Sequence, residues 1–122
     1  MIVAGVGFSS LVAAEDLMGL VRRAEHQAGC AAEALAAPDF KDCAALRAAA
    51  AALNLPLILP GRAALAAVQP LCATHSGSAE AAVGLASVAE ACALAAAGAK
   101  SRLLVPRISQ GSATCALAGE RP

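Results

Sequence analysis

The sequence predicts an α/β domain in which buried parallel strands alternate with helices and an antiparallel strand pair follows at the C-terminal end. Three observations predict it. The apolar, β-branched run Ile2-Val3-Ala4 feeds Gly5-Val6-Gly7 and then small hydroxylated residues, with a helical pattern soon after, as when a buried parallel strand enters an α/β unit. Leucine and alanine then recur at helical spacing in segments separated by Pro, Gly and Asn. Finally, two strand-like runs, 103–108 and 113–117, flank a glycine-containing turn, an antiparallel pair appended to the α/β pattern.

Taken in order, the first strand ends in a Gly-x-Gly turn and is followed by a helix marked by Leu17, Leu20, Val21, Ala24 and Ala28. Glu15 and Asp16 lie in its first turn and Gly29 terminates it. His26 falls on the polar side of this helix and reads as a surface residue. Residues 33–37 form a short second strand stopped by Pro38-Asp39, and Asp39 caps the next helix, whose apolar face is Leu46, Ala49, Ala50 and Leu53. Residues 55–59 are a third strand, and 63–68 a short helix. The stretch 69–78 is the longest irregular segment, the kind of loop that is functional or mobile. Ser87-Val88-Ala89-Glu90 is a capping box opening a helix to about Ala97, closed by Gly98. Pro106 places the penultimate strand at an edge or a strand end.

The length of 122 residues allows one domain, 1–122, with a real core. The hydrophobic fraction of 59% is carried largely by alanine, so burial must come from the Leu, Ile and Val positions. Nine basic and nine acidic residues cancel without a basic stripe, and only two Phe are present. That argues against nucleic acid as a partner. Five widely spaced cysteines without a C-x-x-C or zinc spacing argue against a disulfide framework or a structural metal, and place the protein in a reducing cytoplasm. Residues 1–14 lack the positive start of a secretory signal, and no apolar run reaches the ~18 residues of a membrane span, so a soluble protein is expected.

The candidate site centres on the glycine turn. Gly5 and Gly7 permit a close backbone approach to a ligand, and Ser9 and Ser10 place hydroxyls and N–H groups at the start of the next helix, an arrangement suited to anions. A dinucleotide fingerprint is incomplete, because Ser10 stands where the third glycine belongs and no acidic residue ends the second strand. A structural turn or another ligand stays open. Lys41 follows the second strand, on the rim where open α/β sheets hold ligands, while Arg107 is the cation next to the last turn. Cys72 and His75 suggest a thiol nucleophile and its base, but closeness in sequence supplies no attack geometry; a loop shaping a pocket mouth is the simpler reading.

The order of these pieces resembles one family. Gly5-Val6-Gly7-Phe8, Lys41, Leu53-Asn54-Leu55-Pro56-Leu57, the run from Val83 to Ala91, and the ending from Leu103 to Arg107 through Gly111-Ser112 to Ala118 are similar to the CobE and CbiG C-terminal domain family of cobalamin biosynthesis. The resemblance covers nearly the whole chain and implies a three-layer α/β/α domain with a mixed, mostly parallel sheet. It also implies a role in building the corrin ring. Arg107 matches a position where the family commonly has lysine, so charge is retained there. What the resemblance implies as ligand is a corrinoid or precorrin intermediate, a flat macrocycle edged by carboxylates, with no separate cofactor. Gly5, Gly7, Phe8, Ser9, Ser10, Lys41, Thr74, His75, Ser76, Arg107, Gly111 and Ser112 are the residues expected to bind it. Expected partners are this tetrapyrrole and other corrin-pathway enzymes, not nucleic acid or membrane. Binding and hand-over is the first expectation. A lactone-opening hydrolase that releases a two-carbon fragment and a nucleotide-binding module are the alternatives.

Overall fold

A computed structural model of the chain describes residues 1–9, 11–73 and 88–120. A five-stranded sheet has the order β3-β2-β1-β5-β4, with β1 Val3–Phe8, β2 Ala34–Ala36, β3 Leu57–Ile58, β4 Arg102–Gln110 and β5 Ala113–Gly119. The first three strands are parallel, β5 runs antiparallel to β1, and β4 runs antiparallel to β5. Four strands therefore point one way and only β5 is reversed, so the sheet is mixed and mostly parallel. Among the described residues the longer helices are α1 Ala14–Ala28, α2 Ala44–Leu53, α3 Arg62–Ala67 and α4 Val88–Ala97. Short 3-10 turns cover Asp39–Lys41 and Gln69–Leu71.

Side-chain alternation along the strands builds three layers. Ala4 and Val6 of β1, Leu35 of β2, and Cys115 and Leu117 of β5 face α1 and α2, meeting Leu17, Leu20, Val21, Leu46, Ala49 and Leu53. On the other face Val3, Ala34, Ala36 and Ala118 meet Leu65 of α3 and Ala91, Cys92, Ala93 and Leu94 of α4. Both faces are covered, so the central strands read as continuous apolar runs rather than alternating ones.

The glycine pair is where expectation and structure part. β1 runs through both Gly5 and Gly7 and the chain turns only at Ser9. A Cβ at Gly5 would collide with the Ala89 carbonyl oxygen and the Ala93 nitrogen, and one at Gly7 would lie 2.9 Å from Thr114 Oγ1 and 3.3 Å from Val88 Cβ. The two glycines sit two residues apart and so share one face, which lets α4 lie directly on the strand backbone. They are packing residues, not a turn.

The helix ends follow the sequence signals at their C-termini more than at their N-termini. Gly29 closes α1 at φ 73° and Asn54 closes α2 at φ 57°, both left-handed, with the Gly29 N–H donating to Glu25 O at 2.9 Å. The Gly98 N–H likewise donates to Leu94 O at 3.2 Å, and Ser101 Oγ donates to the Gly98 carbonyl at 2.6 Å. Asp39 does not cap α2. It opens the 3-10 turn, and the N-cap position of α2 falls to Cys43, which makes no side-chain capping bond. The extra turn between β2 and α2 moves the helix start five residues beyond Asp39, out of its reach. Of the predicted capping box, Ser87 lies outside the described residues, and the Glu90 carboxylate accepts the Arg107 N–H at 3.0 Å.

The last two strands form the expected hairpin with a tighter turn than the sequence suggested. Gln110 pairs with Ala113, leaving Gly111 and Ser112 as a two-residue loop, with Gly111 at φ 59°. Glycine at the first central position of such a loop is the type II′ pattern, whose twist matches that of the strands. β4 is the outer strand, as Pro106 required, and its register shifts between Leu103 and Val105 and again between Val105 and Ile108. The N–H of Arg107, displaced from the ladder at the second shift, is satisfied by fully buried Glu90. At the other end of the sheet, Val3 pairs with both Ala34 and Ala118, so the beginning of β1 and the end of β5 lie side by side.

Candidate functional site

Parallel pairing carries the carboxyl ends of β1, β2 and β3 to one rim, and the reversed β5 brings the Gly111-Ser112 turn there too. The Ser9 N–H donates to Ser112 O at 3.1 Å, fastening the end of β1 to this turn. The helices that follow the three parallel strands start at the same rim. Their N-cap positions are Ala13, Cys43 and Gly61, and none makes a side-chain capping bond. The α1 dipole is met by Glu15 and Asp16 in its first turn.

Of the expected site residues, Phe8, Ser9, Lys41, Gly111 and Ser112 come together here. Lys41, on the 3-10 turn after β2, reaches back over β1 so that its ammonium lies 5.9 Å from the centre of the Phe8 ring. Both side chains are half-buried. A cation near an aromatic face is held by the ring quadrupole while remaining open to an anion. Ser9 offers less than its sequence position suggested, because its N–H is committed to Ser112, its carbonyl accepts the Val12 N–H at 3.2 Å, and its hydroxyl oxygen accepts the Leu11 N–H at 3.4 Å. What it can still give a ligand is the hydroxyl hydrogen.

The other expected residues fall elsewhere. Gly5 and Gly7 lie under α4, as described above. Arg107 sits between the β4 residues that pair with Leu117 and Cys115, and these in turn pair with Ala4 and Val6. It is therefore level with the middle of β1, two strands away at the sheet edge, and not beside the hairpin turn. The sequence reading ended the strand at Ile108, but β4 runs on in regular register to Gln110, which leaves Arg107 three residues of extended strand from a turn of only two residues. Ser10, Thr74, His75 and Ser76 lie outside the described residues.

Residues that sequence reading passed over complete the rim. Leu11 is 90% exposed immediately after Ser9, and Phe40, beside Lys41, is 37% exposed. The guanidinium of Arg62, the first residue of α3, lies 4.4 Å from the centre of the Phe40 ring. The available signal was a cation directly after the Pro60-Gly61 break that ends the third strand, the topological equivalent of Lys41 after the second. Nearby acids are partly spoken for: Asp42 pairs with Arg47 through contacts of 2.8 and 2.6 Å. The hydrogen bonds from Arg47 hold the Asp42 carboxyl below its ordinary range.

The three buried thiols, Cys72, Cys92 and Cys115, are poorly placed for chemistry. Cys72 is buried with its S–H directed to Val68 O at 3.7 Å, and burial, with the nearby Glu90 carboxylate, pushes it up to about 11. Burial likewise raises Cys92, and pushes Cys115 up to about 12. A protonated, sequestered thiol is a weak nucleophile, so the Cys72–His75 reading finds no support at Cys72. Among the described residues no group of three or more His, Cys, Asp or Glu side chains is arranged to hold a metal ion, and no helix is long and apolar enough to cross a membrane. An open groove of about 420 Å³ bordered by Arg22, Glu25, His26 and Cys30 lies at the C-terminal end of α1, away from the rim.

Comparison with known proteins gives this geometry a context. A family model described as cobalamin synthesis G C-terminus matches residues 2–118. The crystal structure of CobE, a protein from the cobalamin (vitamin B12) biosynthetic pathway, is similar with a TM-score of 0.90 at 34% sequence identity, over 97% of this chain and 89% of that one. The cobalamin biosynthesis protein ChiG from Agrobacterium tumefaciens str. C58 is similar with a TM-score of 0.80 at 37% identity, over 100% of both chains. No curated protein sequence matches.

Proposed function

Because the chain belongs to the cobalamin synthesis G C-terminus family, we propose that it is a cobalamin biosynthesis protein which binds a corrinoid or precorrin intermediate at the rim and hands it to other enzymes of corrin synthesis. Such intermediates are broad, flat and apolar across the ring, with carboxylates along the edge. A complementary surface needs exposed apolar side chains for the ring and cations or hydroxyls at their border. The observation that carries this reading is the placement of Lys41 over Phe8, next to the exposed Leu11 and the Ser9 and Ser112 hydroxyls. Gly5 and Gly7 serve the site indirectly, by letting α4 seat against β1 behind it.

Each charge-assisted contact to a carboxylate contributes about 1.5–3 kcal/mol when desolvated, and less where water screens it. Two or three are enough to orient a ligand whose affinity comes mainly from ring burial. The test is titration of hydrogenobyrinic acid into the purified protein, followed by visible absorbance, with the ligand recovered and weighed by mass spectrometry. Saturable binding, unchanged ligand mass and a loss of about tenfold or more in Lys41→Glu with an unaltered melting curve are expected. Absence of binding removes the reading, and release of a two-carbon fragment when a lactone-bearing precorrin is supplied in place of hydrogenobyrinic acid makes the protein a hydrolase instead.

A further inference from the structure

Adjacent residues of the 3-10 turn send their side chains to opposite sides of β2. Lys41 goes to Phe8 at the end of β1, whereas Phe40 goes to Arg62 just beyond β3. Among the described residues neither cation is ion-paired. Each is instead held against an aromatic ring, which limits its freedom without neutralising it. β1 and β3 flank β2, so Phe8, which holds Lys41 at the end of β1, and Arg62, which follows β3, belong to strands about two inter-strand spacings apart, roughly 10 Å. Leu11 and the outer edge of Phe40 present apolar surface at the same rim.

We infer that Arg62, carried on Phe40, is a second anion-binding residue of this site, and that with Lys41 it forms a two-point grip for a ligand bearing separated carboxylates along a wide apolar edge. The inference rests on the binding reading above and narrows it. Two cations held after strands roughly 10 Å apart suit acidic side chains on different sectors of a macrocycle. They do not suit a diphosphate, whose charge is concentrated at one point and is best met by clustered N–H donors. Arg62 suits the outer position because its planar guanidinium can stack on Phe40 and still direct N–H groups to a carboxylate. Asp39, exposed and directly before Phe40, works against this grip, and its carboxylate lies 3.5 Å from the position a Cβ would take at Gly61.

The experiment is a double-mutant cycle read by absorbance titration with hydrogenobyrinic acid, its fully methyl-esterified form, and inorganic diphosphate. Arg62 is exposed and Lys41 half-buried, so Arg62→Gln and Lys41→Gln are expected to fold normally. Each single change should weaken the free acid about fivefold, and the double change about 25-fold, since contacts to separate carboxylates add. Asp39→Asn should tighten it about twofold. The ester should show neither effect, and diphosphate should not compete. A double variant no weaker than either single one means one shared carboxylate and overturns the two-point grip. Unchanged affinity in Arg62→Gln, with binding intact in the unsubstituted protein, overturns the role of Arg62 alone. No binding of the free acid by the unsubstituted protein overturns the underlying reading as well.

Discussion

The two faces of this sheet solve the same packing problem in opposite ways. Against α1 and α2 the contacts are between branched side chains, Leu35 and Leu117 with Leu17, Leu20 and Leu46, so cohesion comes from filled volume. Against α4 they are between backbones, with Gly5, Gly7, Ala34, Ala36 and Ala118 facing a helix buried continuously from Ala89 to Leu94. Cohesion there comes from proximity, many short-range dispersion contacts over little side-chain volume. The lesson is that hydrophobic content alone does not say what a core tolerates. One face is sensitive to loss of atoms, the other to their addition.

Substitutions can break that contrast in order of expected size. Gly5→Val is the most severe, since even the first carbon meets backbone atoms of Ala89 and Ala93 that cannot rotate away. We expect it to abolish the cooperative thermal transition, seen by circular dichroism; a normal melt would mean that α4 has room to retreat. Leu35→Ala on the opposite face should cost about 2–5 kcal/mol by urea denaturation, the usual range for an emptied leucine site. A loss below 1 kcal/mol, on the order of a surface change, would show that face to be loosely filled. Gly7→Ala should cost about 1–2 kcal/mol, because the tightest neighbour, Thr114 Oγ1, belongs to a side chain that can shift.

The smallest effect expected lies outside both faces. Asp42 has its folded-state pKa depressed by hydrogen bonds from Arg47, so the pair stabilises above the ordinary carboxylate value of 3.8 and that contribution fades as pH falls through the lower folded value. Melting temperatures of the unsubstituted protein and Arg47→Gln should differ slightly at neutral pH and converge in acid below that value. A gap that persists there would assign the effect to packing of the Arg47 stem instead.

Much of this fold was legible because its strongest signals are local. The spacing of Leu17, Leu20, Val21 and Ala24 needs only one helix to explain it, and the terminators Gly29 and Asn54 act within a few residues. The hairpin likewise follows from the turn at Gly111. The glycine pair misled because Gly-x-Gly serves a turn and a close helix approach equally well; deciding between them requires knowing that an alanine-rich helix from the far end of the chain lies across it. Their spacing of two residues on one strand face, opposite the Ala4 and Val6 face, was the available clue. The position of Lys41 after the second strand was legible from topology, whereas the contact of Arg62 with Phe40 was not, because it joins residues 22 apart that no periodicity links. Arg107 was set beside the turn because the polar Ser109 and Gln110 read as part of it, whereas they are the last two residues of β4.

The reversal of β5 has a practical outcome. By pairing Ala118 with Val3, it parks both described ends of the polypeptide on the side of the sheet away from the proposed grip. A tether, affinity handle or fused partner attached at either end should hang clear of the ligand, so the molecule can be immobilised for binding work without masking the surface under study.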